Sequence, residues 1–203
     1  GHIIIDDNNL WIGTEEGVSL YEPDQVTPQT LIWPRPAPLT SSRVQHIEYT
    51  AAYGENWRIQ FSHSFDGSPW SDWSTARSWV GSGLADGVHT FEVRTRDGAT
   101  NIDPTPAVAV FEVDATGPAP AITWPAFGDA VRDSIVVLGM AADPRFAEYL
   151  VETRGAGSEQ WTALAGSDAP VADGSLAGWN TSSCPDGTHE LRLSVTDTLG
   201  LSG

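Results

Sequence analysis

The sequence predicts an all-β protein made of two tandem β-sandwiches preceded by an N-terminal β-hairpin segment. Three observations carry that reading. Gly (20) and Pro (14) together make about 17% of the 203 residues, above the usual background of roughly 12%, so turns are frequent. Between the turns lie short runs of β-branched and aromatic residues that alternate apolar and polar, and no stretch sustains a helical period. Finally, the sequence repeats itself. Residues 84–97 read LADGVHTFEVRTRD and residues 184–197 read CPDGTHELRLSVTD, so Asp86, Gly87, His89 and Asp97 recur as Asp186, Gly187, His189 and Asp197 at an offset of 100.

The elements follow in order. Residues 1–32 form the hairpin segment and a linker, with apolar runs at Ile3, Ile4 and Ile5 and at Leu10, Trp11 and Ile12. The Pro-rich stretch Trp33–Pro38 opens the first sandwich, residues 33–116. There, Trp57, Ile59, Phe61, His63 and Phe65 share one face of a strand, and Asp66-Gly67 turns the chain. In the repeated piece Asp-Gly makes a tight turn, and the strand after it turns His89, Phe91 and Val93 inward, or His189, Leu191, Leu193 and Val195 in the second copy. A strand over 108–113 closes the first sandwich, and Asp114–Pro120 reads as an extended, stiff linker because its prolines cannot donate to a ladder. The second sandwich spans 117–203, with strands at 135–140 and 149–153. Phe146–Val151 is too short for a helix.

Charge excludes several functions. There are 27 acidic residues against 10 basic ones, all arginine, for a formal charge of -17 and a pI near 4.3. Such a surface repels phosphates and anionic lipid, so nucleic acid and membrane surfaces are not expected partners. No apolar run approaches the roughly 20 residues of a membrane span. The chain opens at Gly1 without a signal-peptide pattern and reads as a processed product or an excised piece. The single Cys184 forms no internal disulfide and reads as a small packing residue.

Three resemblances follow from quoted motifs. Asn9–Pro23, with Leu-Trp-Ile-Gly-Thr, the Gly17 turn and Leu20-Tyr21, resembles part of a blade of the β-propellers found in two-component sensors. Residues 40–113 resemble the Tyr-rich, fibronectin type III-like domain that follows such propellers, through Phe65-Asp-Gly, Trp70-Ser-Asp-Trp-Ser74 and Leu84–Asp97, with His89 standing where Tyr is common. Residues 119–203 resemble an immunoglobulin-like repeat of bacterial surface proteins, through Gly139–Asp143, Phe146–Glu152, Trp161, Pro170–Leu176, Trp179-Asn-Thr181 and Pro185-Asp-Gly. They imply immunoglobulin/fibronectin type III-like sandwiches in an extracellular, cell-surface or periplasmic setting, and bring no catalytic motif.

Candidate sites are few. Asp97, Asn101, Asp103 and Asp114 gather oxygen donors suited to Ca²⁺, though Asx-turn chemistry explains the same residues. His89 and His189 read as satisfied core residues, and no nucleophile elbow is present. Trp70, Trp73 and Trp79 lie close enough for a sugar platform, but the odd spacing of Trp70 and Trp73 puts them on opposite faces of a regular strand. Asn180-Thr-Ser182 fits a glycosylation sequon and equally a turn.

The function expected is therefore a non-catalytic structural or interaction module: a spacer, adhesive or assembly element of a bacterial surface or secreted protein, without a resident cofactor. Its interaction residues are Ile3, Ile4, Ile5, Leu10, Trp11 and Ile12, an exposed apolar edge prone to pairing. These strands complete a propeller outside this chain, fold back on the first sandwich, or add to a neighbouring subunit by β-augmentation. The alternatives are a fragment of a periplasmic ligand sensor and a carbohydrate-binding accessory module.

Overall fold

A computed structural model describes residues 3–6, 9–21, 25–52 and 58–203. Trp57, expected at the head of a strand, lies outside the described residues, as do Asp7, Asn8 and Pro23. The chain divides into two units, residues 1–39 with 43–113 and residues 40–42 with 114–203. Nearly all regular structure is strand, as alternation and turn chemistry require.

The N-terminal segment forms three antiparallel strands rather than the two of a hairpin: β1 (Ile3–Asp6), β2 (Asn9–Thr14) and β3 (Gly17–Tyr21). They make a sheet of their own in the order β1-β2-β3. β1 pairs with β2 through Ile3↔Ile12, Ile4↔Trp11 and Ile5↔Leu10, so the two apolar runs face each other across one ladder.

The first sandwich contains β4 (Thr30–Ile32), β5 (Leu39–Thr40), β6 (Val44–Ala51), β7 (Gln60–Phe65), β8 (Ser78–Ser82), β9 (Gly87–Arg96) and β10 (Ala107–Val113). One sheet runs β4-β6-β8 and the other β5-β10-β9-β7. Thr30 and Ile32 of β4 are both buried, and β4 pairs with β6. On β9 the expected face is inward: His89, Phe91, Val93 and Thr95 are buried. An aromatic cluster fills the core, with Tyr49 5.0 Å from Phe61 and Trp79 4.8 Å from Phe65 and 4.9 Å from Phe91.

The second unit contains β11 (Ala121–Trp124), β12 (Ser134–Ala141), β13 (Phe146–Gly155), β14 (Thr162–Ser167), β15 (Val171–Asn180) and β16 (His189–Asp197). Its sheets run β11-β12-β15 and β14-β13-β16. Val137, Ala141, Val151 and Val195 are fully buried, with Tyr149, Leu176 and Trp179 around them. Gly139 lets β11 approach β12: a Cβ there would stand 2.1 Å from the Ala121 carbonyl oxygen and 2.7 Å from Leu176 Cδ1.

The sequence repeat is a repeat of hydrogen bonds. His89 Nε2 lies 2.9 Å from the Ala85 oxygen, and His189 Nε2 lies 3.0 Å from the Pro185 oxygen. At the far end, Asp97 Oδ1 accepts from the amides of Ala99 and Asn101, and Asp197 Oδ1 from those of Leu199 and Leu201. Both turns also close through the Asp amide, which donates to the oxygen of Asn101 or Leu201. The repeat reaches a further pair that sequence reading missed. Trp33-Pro34 after β4 and Trp124-Pro125 after β11 are both cis peptides.

Two outcomes follow. Asp97→Ala and Asp197→Ala each strand two amides that one oxygen now satisfies, so each should cost about 1–3 kcal/mol in urea unfolding. Gly139→Ala drives a Cβ into backbone that cannot yield and should cost about 1–3 kcal/mol by the same measurement.

Candidate functional site

The oxygen donors of residues 97–114 are already engaged. Asp97 Oδ2 accepts from Asn101 Nδ2 at 2.9 Å. Asp103 accepts from the Thr30 amide through Oδ2 at 2.6 Å and from Thr105 through Oδ1. Burial alone would raise the Asp103 carboxyl, but the bonds from Thr30 and Thr105 outweigh it and hold it below the usual carboxylate range. Asp114 belongs to the second unit, where it pairs with Arg145 at 2.8 Å. A cation would have to share or displace these bonds. Among the described residues no group of three or more His, Cys, Asp or Glu side chains is disposed to hold a metal ion.

The histidines differ. His89 sits at the end of the first core, stacked on Phe65 at 5.3 Å and 5.7 Å from Phe111. Both ring nitrogens face acceptors: Nε2 the Ala85 oxygen, and Nδ1 the Asp66 carboxylate at 2.7 Å. Asp66 also accepts from the Thr90 amide through its other oxygen. An imidazole satisfies both acceptors only as the imidazolium. The Ala85 carbonyl and then the Asp66 carboxylate accordingly raise its pKa above the ordinary histidine value, against the opposing effect of burial. His189 keeps only the carbonyl bond, and its Nδ1 is buried without a partner, as are Trp179 Nε1 and Thr153 Oγ1. His63 approaches a hydroxyl, with Ser71 Oγ 3.2 Å from its Nδ1, but Ser71 Oγ also accepts from the His63 amide and donates to the Asp72 oxygen. The pair therefore ties residues 71–74 to β7, a role continued by the Ser62 hydroxyl on the Ser71 oxygen and the Phe61–Ser74 bridge.

Trp70, Trp73 and Trp79 are each occupied on at least one face. Trp79 packs in the core. Trp70 and Trp73 do not lie on opposite sides of a strand, as odd spacing implied. Both rings take the Arg94 guanidinium, at 4.1 and 5.2 Å, and Arg96 lies over Trp73 at 4.7 Å. The reason is that residues 70–73 form no regular strand, so alternation does not apply. The second sandwich builds a similar stack, with Trp161 contacted by Arg154 at 4.6 Å and Arg192 at 4.2 Å. Those arginines pair with Glu190 and Glu152 across the ladder. The Asn180 side chain accepts from the Ser182 amide, the turn role open to it.

The N-terminal strands carry several exposed apolar residues, as do other places such as Phe127, Trp33 and Val88. Ile3 and Ile4 are 68% and 61% exposed, Val18 is 69%, and Trp11 and Ile12 are 36% each. Backbone pairing sets Ile5 opposite Leu10 in the same ladder.

No family model matches the chain, and no curated protein matches it. Solved structures do. Domains A168–A170 of titin align over 98% of this chain and 73% of theirs, at 14% identity and a TM-score of 0.45. The fibronectin(III)-like modules of Clostridium thermocellum CbhA align over 86% and 88%, at 11% identity and 0.36. A two-domain fibronectin type III segment of chicken tenascin aligns over 88% and 98%, at 11% identity and 0.35.

The imidazolium of His89 has a pH signature. Its folded pKa lies above the unfolded value, so its contribution is complete below about pH 6.5 and is lost as pH rises through the folded pKa. The stability advantage of the wild type over His89→Gln in urea should therefore be larger at about pH 5.5 than at about pH 8.5. An advantage independent of pH would contradict a charged His89.

Proposed function

We propose that this chain is a non-catalytic structural and interaction module, in which two tandem sandwiches carry an N-terminal sheet that associates with protein through its apolar strands. The observation behind this reading is the exposure of Ile3, Ile4, Trp11, Ile12 and Val18 on β1, β2 and β3. A sheet bearing such side chains and no lysine lacks one usual guard against edge pairing. Ile5 and Leu10 share its ladder and complete the interaction set. The clamps of the repeat support a spacer role, since they stiffen each sandwich without presenting reactive groups. The extracellular, cell-surface or periplasmic setting of a bacterial protein rests on the resemblances of residues 40–203.

A second reading has its own support. A propeller blade is a four-stranded antiparallel sheet, and β1-β2-β3 is a meander one strand short of it. That favours the sensor reading, in which the segment belongs to a propeller. The carbohydrate alternative has less support, because guanidinium groups or core rings cover faces of Trp70, Trp73 and Trp79.

Sedimentation of the intact chain at rising concentration tests the self-associating form. Association should appear, strengthen with salt as the charge of -17 is screened, and disappear in an Ile3→Asp, Ile4→Asp variant. A chain that stays monomeric in high salt and at high concentration overturns self-association.

A further inference from the structure

We infer that residues 83–86, the loop between β8 and β9, form a pH-sensitive element. The loop is docked on His89 while that ring carries two N–H groups, and it is released when the ring keeps only one.

The loop is held at three points. Arg43, just before β6, fixes two of them. Its Nη1 donates to the Leu84 oxygen at 2.8 Å and its Nη2 pairs with Asp86 at 2.9 Å. The Leu84 amide donates in turn to the Arg43 oxygen. The third point is the Ala85 oxygen, 2.9 Å from His89 Nε2. Ala85 is exposed, and among the described residues its oxygen has no other donor. Gly83 and Gly87 flank the loop at φ of 66° and 131°. Glycines at these places absorb the backbone change when the peptide between Ala85 and Asp86 turns over.

The ring stands between competing acceptors. Its Nδ1 lies 2.7 Å from Asp66, whose other oxygen accepts from the Thr90 amide. The Asp66 amide also donates to the Thr90 oxygen, so Asp66 is fixed in place without the histidine. The Ala85 carbonyl is not. A neutral imidazole has one N–H. The carboxylate is the stronger acceptor, so Asp66 keeps that hydrogen and Nε2 turns a lone pair on the Ala85 oxygen. Two acceptors 2.9 Å apart repel, and the exposed carbonyl exchanges the ring for water. Phe65 and Phe111 cover the ring from β7 and β10, and Glu92 and Glu112 alternate onto the outer faces of β9 and β10. The charges around His89 are then Asp66 beyond β7 and the Arg43–Asp86 pair of the loop itself. The Ala85 bond and Asp66 favour the protonated ring, so docking is complete below about pH 6.5 and is lost as pH rises through the folded pKa.

The second unit supplies a comparison. His189 Nε2 lies 3.0 Å from the Pro185 oxygen, and its Nδ1 has no partner among the described residues. A neutral ring protonated at Nε2 satisfies that single acceptor. The loop before β16 therefore has no cause to open with pH, and the element depends on Asp66 as well as on the histidine.

The test is nitrogen-15 relaxation on the full chain between about pH 5.5 and 8.5, beside a titration of the His89 ring. Order parameters at Ala85, Asp86 and Gly87 should fall from about 0.85 to below about 0.6 along that titration, while those of Asp186 and Gly187 hold. Asp66→Asn keeps an acceptor for the Thr90 amide and tolerates the φ of 48° at this position. Its amide donates to Nδ1 and leaves the Nε2 hydrogen for Ala85, so in this variant the loop should stay ordered to about pH 8.5. A loop equally ordered on both sides of the His89 titration overturns the inference. A wild-type pH step in Asp66→Asn overturns it by separating release from the two-acceptor ring. Matching loosening at Asp186 and Gly187 overturns it as well, by marking a general effect of pH.

Discussion

Each sandwich depends on one long strand whose inner face turns toward the core and whose two ends are satisfied by side chains. β9 and β16 meet this constraint with the same two groups. At the start, a histidine reaches back to the carbonyl four residues earlier; at the end, an aspartate accepts from two amides of the following turn. His89 and Asp97 are an even number of residues apart, as are His189 and Asp197, so both ends of each clamp face inward with the apolar residues between them. Buried backbone donors and acceptors are nearly always paired, and these side chains do the pairing where the ladder stops. The other strands are placed by what they add to this element.

The two sandwiches then diverge around the histidine. In the first, Phe65 and Phe111 pack on the ring while Asp66 holds its charge, and the aromatic cluster continues through Phe91 to Tyr49 and Phe61. In the second, among the described residues, Trp179 approaches the ring edge-on at 5.7 Å and the ring has one hydrogen bond, to the Pro185 oxygen. One clamp thus serves two differently packed cores. The two acceptors of His89 raise its pKa above the ordinary histidine value, while His189 faces one acceptor.

The outer faces give four of the ten arginines a role that lysine fills less well. Arg94 and Arg96 lie over Trp70 and Trp73, and Arg154 and Arg192 contact Trp161 while reaching glutamates. A planar guanidinium can stack on a ring and still bond in its own plane, which an ammonium cannot do. The stacks cover large rings that alternation alone would leave exposed on the outer sheet, and the acidic excess keeps the remaining surface solvated.

Much of the fold was legible because the causes are local. Period two named the inward faces of β9 and β16, Asp-Gly named the turns before them, and the 100-residue offset named two copies of one unit. Trp33-Pro34 and Trp124-Pro125 carried a further signal at an offset of 91 that a search for a second spacing would have found. Ile3, Ile4, Trp11 and Ile12 are exposed, in keeping with apolar runs that have no polar face of their own. Other features depend on distant residues and needed the tertiary structure. Trp70 and Trp73 share a side because Arg94 arrives from β9, and Asp103 is buried because Thr30, 73 residues earlier, donates to it. His89 and His189 are alike in sequence, and their difference lies in what other strands bring to them. The sequence by itself determined the strands, the turns and the repeat, because these follow from neighbours along the chain. The tertiary structure alone decided which carboxylates are spent and which rings are covered, because each depends on partners tens of residues away.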